Sequence, residues 1–134
     1  MKNNDPAILF VAAFATMLAA DALYRDTSRD AIDKQRLRIQ HLAAPVRTDA
    51  YALTVAMAAA ALVLFAPPAT APPQTAFLLG GIIGALHNAG NYAMLKHWDT
   101  NLAAVDTLWT ACLFAATSSL LRHSSSVLSQ LARF

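Results

Sequence analysis

The sequence predicts an all-α integral membrane protein, a four-helix up-down bundle that occupies residues 1–134 as one transmembrane domain. Four apolar stretches, about 7–23, 50–66, 75–95 and 102–121, each come near the ~20 residues a helix needs to cross ~30 Å of hydrocarbon. Hydrophobic residues make up 57% of the chain and charged ones 13%, which leaves no room for a soluble domain. The longest polar segment, residues 25–49, is too short to enclose a core of its own.

Each span has its own boundary signals. The first begins after Pro6, whose fixed φ suits a first helical turn, and runs to Tyr24 and Arg25. The second starts after Asp49 as N-cap and stops at Pro67 and Pro68. Pro67, Pro68, Pro72 and Pro73 make a short uncharged turn, so spans two and three are expected to be antiparallel neighbours. The third ends near Lys96, a polar link from His97 to Thr100 follows, and the fourth ends near Arg122. Lys2 before the first span and Ala20-Asp21-Ala22 also fit a cleavable signal peptide, but cleavage would discard Asp21, which has a counterpart later in the chain.

Charge sets the expected orientation. Arg25, Arg29, Lys34, Arg36, Arg38, Arg47 and Lys96 fall on one side, while Lys2, Arg122 and Arg133 fall on the other. The positive-inside rule then makes the loop 25–49 cytoplasmic and puts both termini outside, with Tyr24, Tyr51 and Trp98 as aromatic anchors at the cytoplasmic boundary. Within that loop, Thr27 or Ser28 is a cap for a helix with Ile32, Ile39, Leu42 and Ala43 on one face. Such a helix fits two places: the membrane surface, or the cytoplasmic end of the bundle itself.

The residues most in need of explanation are polar and lie inside the spans. Asp21-Ala22-Leu23-Tyr24 and Asp106-Thr107-Leu108-Trp109 both read Asp-x-Leu-aromatic. A carboxylate at mid-helix depth costs ~2.5–3.5 kcal/mol on insertion scales. In the third span, Gly80, Gly84, His87, Asn88 and Asn91 recur at three- and four-residue intervals and share one face. Gly80 and Gly84 form a GxxxG pair for close helix packing. At ~1.5 Å per residue, Asp21, Asn91 and Asp106 lie about 5–7 Å inside the same boundary, with His87 and Asn88 one turn deeper. A single polar layer joining spans one, three and four is the expectation. Two carboxylates there would call for a proton, a cation or a basic partner, Arg25 and Lys96 being within reach.

Several function classes find no support. His41, His87, His97 and His123 are scattered, so no metal site is expected. Ser118-Ser119 and the serines at 124–126 have no acid or base arranged beside them, and Gly80-Gly81-x-x-Gly84 lies in an apolar helix, unlike a phosphate loop. No catalytic residue and no cofactor can be named. Cys112 is the single cysteine and is expected to pack in the core. The net charge of +2, without aromatics among the basic residues, gives no nucleic-acid surface.

The run from Leu86 to Trp98, Leu-His-Asn-Ala-Gly-Asn-Tyr-Ala-Met-Leu-Lys-His-Trp, followed by Val105-Asp106-Thr107-Leu108-Trp109, resembles the signature of a group of small bacterial membrane proteins, domain of unknown function 2177. That pattern has Asp-x-Thr-Asn, a Leu-Lys-x-Trp end to span three and Val-Asp-x-x-Trp in span four. Asp21 to Tyr24 is similar to its Asp-x-Leu-Trp, and Gln40-His41-Leu42 falls at its Gly-His-Leu-like stretch. The chain departs from the pattern at Asn88, where the family carries an acid, and at Gly90, where it carries Thr. The resemblance implies four spans and no established activity, with the bacterial inner membrane as the expected compartment and an organelle or viral membrane as the alternatives.

Two functions follow as expectations. The first is a non-enzymatic bundle protein packed through Gly80 and Gly84, an accessory subunit or a homo-oligomer whose partners are lipids and other membrane subunits. The second is a protein that binds or transports a proton, a cation or a lipid headgroup through Asp21, Asn91 and Asp106. A cavity reaching the polar groups favours the second, and a dry, fully hydrogen-bonded layer favours the first.

Overall fold

A computed structural model describes residues 5–40, 48–95, 97–131 and 133. They form five helices: α1 (Pro6–Thr27), α2 (Arg29–Gln40), α3 (Thr48–Phe65), α4 (Pro73–Met94) and α5 (Thr100–Leu131). Asp5 caps α1, its carboxylate accepting from the Ala7 amide at 2.9 Å, and Pro6 takes the first helical position. Asp49 lies inside the first turn of α3 rather than capping it, where its charge complements the amide end of the helix dipole. Asp99 caps α5, accepting from the amides of Asn101 and Leu102 at 2.9 and 3.2 Å. His97 enters that link in the left-handed region, φ 62°. No Gly or Pro follows Gly90, so nothing breaks α5 at Arg122 and it runs on to Leu131.

Three helices are long and apolar enough to cross a membrane: α1, α3 and Thr100–Ser124 of α5. The fourth, α4, has the length, but Gln74, Thr75, His87, Asn88 and Asn91 lower its hydropathy.

In space the long helices lie in a row, α3, α1, α5, α4, rather than in a closed ring. Packing is extensive between α4 and α5, substantial between α1 and both α3 and α5, and slight between α3 and α4. The expected side-by-side pairing of spans two and three is therefore corrected: the turn through Pro67 and Pro72 joins them, but α4 turns to α5. The core is built from Leu9, Ala13 and Met17 of α1, Val55, Ala59 and Leu62 of α3, and Phe114 of α5. Opposite faces carry Val11, Leu23, Met57, Leu64, Ile82 and Leu86, all well exposed. In water such surface would aggregate; in a bilayer it meets acyl chains. Cys112 is also exposed, not in the core as expected.

The short helix α2 folds against the bundle end. Gln35 Oε1 accepts from the Asp99 amide at 2.9 Å, which ties α2 to the link before α5. Of its expected apolar face, Ile32 and Ile39 turn to a cavity at that end, while Leu42 and Ala43 lie outside the described residues. Thr27 closes α1 by donating to the Tyr24 carbonyl at 2.9 Å instead of capping α2.

Glycine explains why α4 chooses α5. A Cβ on Gly80 would sit 2.6 Å from the Thr110 carbonyl oxygen and 2.8 Å from the Phe114 side chain, and one on Gly84 would sit 3.1 Å from Thr107 Cα. At Gly81 the nearest atom would be 3.6 Å away, and at Gly90 nothing lies within 4 Å. The seam needs hydrogen at 80 and 84 only. Gly80→Ala is therefore expected to destabilise by about 1–3 kcal/mol through overpacking, with Gly84→Ala next. Gly90→Ala should leave the thermal midpoint unchanged or raise it, since alanine is the better helix former. Melting of the three Ala variants in lipid particles tests this order, and equal effects at 80 and 90 would contradict it.

Candidate functional site

Two polar clusters form at the α2 end, built on different helices. The first centres on Asp21, whose side chain is only 13% exposed. Its Oδ2 accepts from Arg25 Nε at 2.8 Å and from Tyr51 Oη at 2.7 Å, while Oδ1 accepts from Trp109 Nε1 at 2.9 Å. One carboxylate thus joins α1, α3 and α5. Tyr24 stacks on Trp109 with ring centroids 4.7 Å apart and planes 11° apart, and the Arg25 guanidinium lies 4.8 Å from the centre of the Tyr51 ring. This cluster is compact and supplied with a counter-charge.

The second cluster lies in the α4–α5 seam, one turn beyond Gly84. Asn88 is buried, and its Nδ2 lies 2.9 Å from the Gly84 carbonyl, 3.0 Å from Asp106 Oδ2 and 3.1 Å from Thr107 Oγ1. An amide at 88 can donate to the Asp106 carboxylate without adding a second negative charge. Thr107 and Thr110 return their hydroxyls to the carbonyls of Ala103 and Asp106 on their own helix, as apolar surroundings require. Among the described residues no basic side chain forms an ion pair with Asp106.

A cavity of about 270 Å³ opens beside this second cluster. Asn88 and Asp106 line it, Tyr24 and Arg25 come from α1, Gln35 and Arg36 from α2, and Trp98 from the link. Among the described residues, Trp98 Nε1 and Tyr24 Oη are buried without a hydrogen-bond partner. Orphaned donors beside a cavity are costly, about 1–3 kcal/mol each, unless a ligand or water satisfies them. A second, more open pocket between α1 and α2 carries Arg25, Arg29 and Arg36, with Arg29 and Arg36 each 3.6 Å from a carboxylate, Asp26 and Asp33.

The single polar layer expected from depth thus divides. Asn91, placed level with Asp21, meets only its own helix, its Nδ2 lying 3.1 Å from His87 Nε2. The physical reason is lateral: α4 packs on α5 and not on α1, so equal depth does not bring Asn91 to Asp21. His87 likewise bonds within α4 rather than between helices. Of the two expected cations, Arg25 pairs with Asp21, and Lys96 lies outside the described residues. Tyr24, Tyr51 and Trp98, expected as an aromatic belt, are partly buried and turn their polar atoms inward. Sequence reasoning missed Tyr51 and Trp109 as donors to Asp21, and Gln35, Arg36 and Trp98 as cavity walls. The repeated Asp-x-Leu-aromatic motif held the signal: the aromatic residue of one copy serves the acid of the other.

Among the described residues no cluster of three or more His, Cys or acidic side chains could hold a metal ion. Among the described residues, Ser118 Oγ is buried with no hydrogen-bond partner.

The division has an energetic signature. Tyr51→Phe should cost about 1.5–3 kcal/mol by removing a hydrogen bond to a charged group, and should cost little once Asp21 is Leu. Asp21→Leu and Asn88→Leu, in separate clusters, should add within about 0.3–0.5 kcal/mol. A thermal double-mutant cycle in lipid particles reads both, and strong coupling between positions 21 and 88 would restore the single layer.

No curated protein and no solved structure matches the chain. The sequence family described as "Predicted membrane protein (DUF2177)" matches residues 6–122, which takes in α1 to α4, α5 as far as Arg122, and both polar clusters. The chain belongs to this family of predicted membrane proteins.

Proposed function

We propose that the protein is a non-catalytic, four-span protein of the bacterial inner membrane that holds the polar headgroup of a phospholipid in the cavity between α2 and the helix ends. The observation that carries this reading is the cavity beside Asn88 and Asp106, with arginines on two walls and buried donors that lack partners. Headgroups sit at this depth, where Arg side chains reach phosphate. Binding is favoured over transport because the seam beyond Asn88 closes tightly on Gly80, Thr110 and Phe114, and the buried polar residues deeper along α5, Thr117 and Ser118, carry no charge.

Four spans are supported by α4 itself. Its 22 residues run ~33 Å, it lies along the apolar α5, and Leu78, Ile82 and Leu86 form an exposed apolar stripe on its outer side. A cytoplasmic α2 is supported by the basic residues of residues 25–47.

A second reading, an accessory subunit or homo-oligomer, draws on an open apolar groove of about 560 Å³ on the outer face of α4 and α5, where Gly81, Ala85, Ala89, Ala104 and Ala111 would let another helix come close. The two readings use different faces and are compatible.

Lipid analysis of the full chain purified in mild detergent tests the headgroup site. The wild type should retain phospholipid through gel filtration, whereas Arg36→Gln and Trp98→Phe should lose it with unchanged melting. No retained lipid, or equal retention in the variants, would refute the reading. For orientation, cysteine at Ser28 in a Cys112→Ser background should be shielded from an impermeant reagent outside the cell, and cysteine at Ser126 should react. The reverse pattern would invert the topology.

A further inference from the structure

We infer that the bound headgroup is zwitterionic: a phosphate ester joined by a short linker to an ammonium, with the phosphate against Arg36 and Trp98 and the ammonium against Asp106. This rests on the reading of the cavity as a headgroup site and names the chemistry it selects.

Charge on the cavity wall decides the class. Arg25 lines the cavity, but its charge is offset by Asp21 at 2.8 Å. His87 also lines the cavity, its Nε2 lying 3.1 Å from the Asn91 side-chain amide on the same helix. Among the described residues, two fixed charges of opposite sign then remain on the wall, Arg36 on α2 and Asp106 on α5. Arg36 is 28% exposed, and its acidic neighbour Asp33, 3.6 Å away, is 52% exposed and weakly coupled. The hydrogen-bond partner of the Asp106 carboxylate is the neutral Asn88 amide. The cavity is therefore a dipole between two helices rather than a basic pocket.

Simpler ligands leave part of that dipole uncompensated. A purely anionic headgroup would satisfy Arg36 and the orphaned Trp98 Nε1 and Tyr24 Oη, but would bring like charge toward Asp106 in a medium of low dielectric. A lone amine would satisfy Asp106 yet face Arg36 and leave both donors without an acceptor. A molecule with phosphate at one end and ammonium at the other answers all four groups. The volume, about 270 Å³, lies just below that of pockets for drug-sized ligands and suits a headgroup rather than a whole lipid. Ile32 and Ile39 supply apolar wall for the linker or the first acyl carbons.

The test is lipid retention by the full chain in detergent, read by native mass spectrometry after exposure to equal amounts of phosphatidylethanolamine and phosphatidylglycerol. Wild type should retain phosphatidylethanolamine in excess, by roughly tenfold, one ion pair's contribution. Asp106→Asn, which can keep its bond partners, should erase that excess while still holding phosphatidylglycerol; Arg36→Gln should weaken both. Equal retention of the two lipids by the wild type, or an Asp106→Asn chain that keeps the preference, would overturn the zwitterion and leave the headgroup site standing. Retention of neither lipid, with no binding of soluble phosphoethanolamine, would refute the headgroup site and this inference together. A third arm uses soluble phosphoethanolamine: displacement of bound lipid by it supports the ammonium-phosphate chemistry. Its binding where no lipid is retained would keep that chemistry but assign the cavity to a free ester.

Discussion

A carboxylate inside a membrane bundle has to be compensated by the protein, because hydrocarbon supplies neither hydrogen bonds nor counter-charge. Asp21 meets that requirement from three directions: Arg25 on its own helix, Tyr51 on α3 and Trp109 on α5. Each partner is fixed in turn, Arg25 by the Tyr51 ring and Trp109 by stacking on Tyr24. The relative placement of α1, α3 and α5 at this end follows from that single charged group. Apolar packing alone would not set it, since side chains of Leu and Ala pack about as well on lipid as on one another.

The α4–α5 pair is held by a different kind of contact. There the backbones approach closely at Gly80 and Gly84, and close approach gives both van der Waals contact and a buried position for Asn88. Because α4 rests on α5 alone for most of its packing, the space between its last turns, the end of α1 and α2 is not filled by a neighbouring helix. That space is the cavity. Its existence is a consequence of the row arrangement, and α2 covers it through the Gln35 contact to the Asp99 amide.

The two Asp residues therefore do different work despite sharing a motif. Asp21 is saturated by fixed donors and has a cation beside it, so it holds structure. Asp106 is met by a neutral amide and borders a cavity that Arg36 also lines, which is why the proposed headgroup site centres on it. The difference lies in what each helix packs against, not in the local sequence.

The sequence by itself determined the membrane class, the four long helices and the approximate ends of the first three, the short helix in the basic loop, the Gly80 and Gly84 contact face and the unusual status of Asp21, Asp106 and Asn88. These are local or periodic properties: apolar length, proline and capping signals, and residues repeating on one helix face. Only the tertiary structure decided which helices touch. Depth can be counted along a helix, but lateral neighbours depend on the fit of whole faces, so Asn91 and Asp21 share a level without meeting, while Trp109 reaches Asp21 across the bundle. The cavity was illegible for the same reason: its walls come from Arg36, Trp98 and Asp106, which are distant in the chain and are brought together by the packing of α2, α4 and α5.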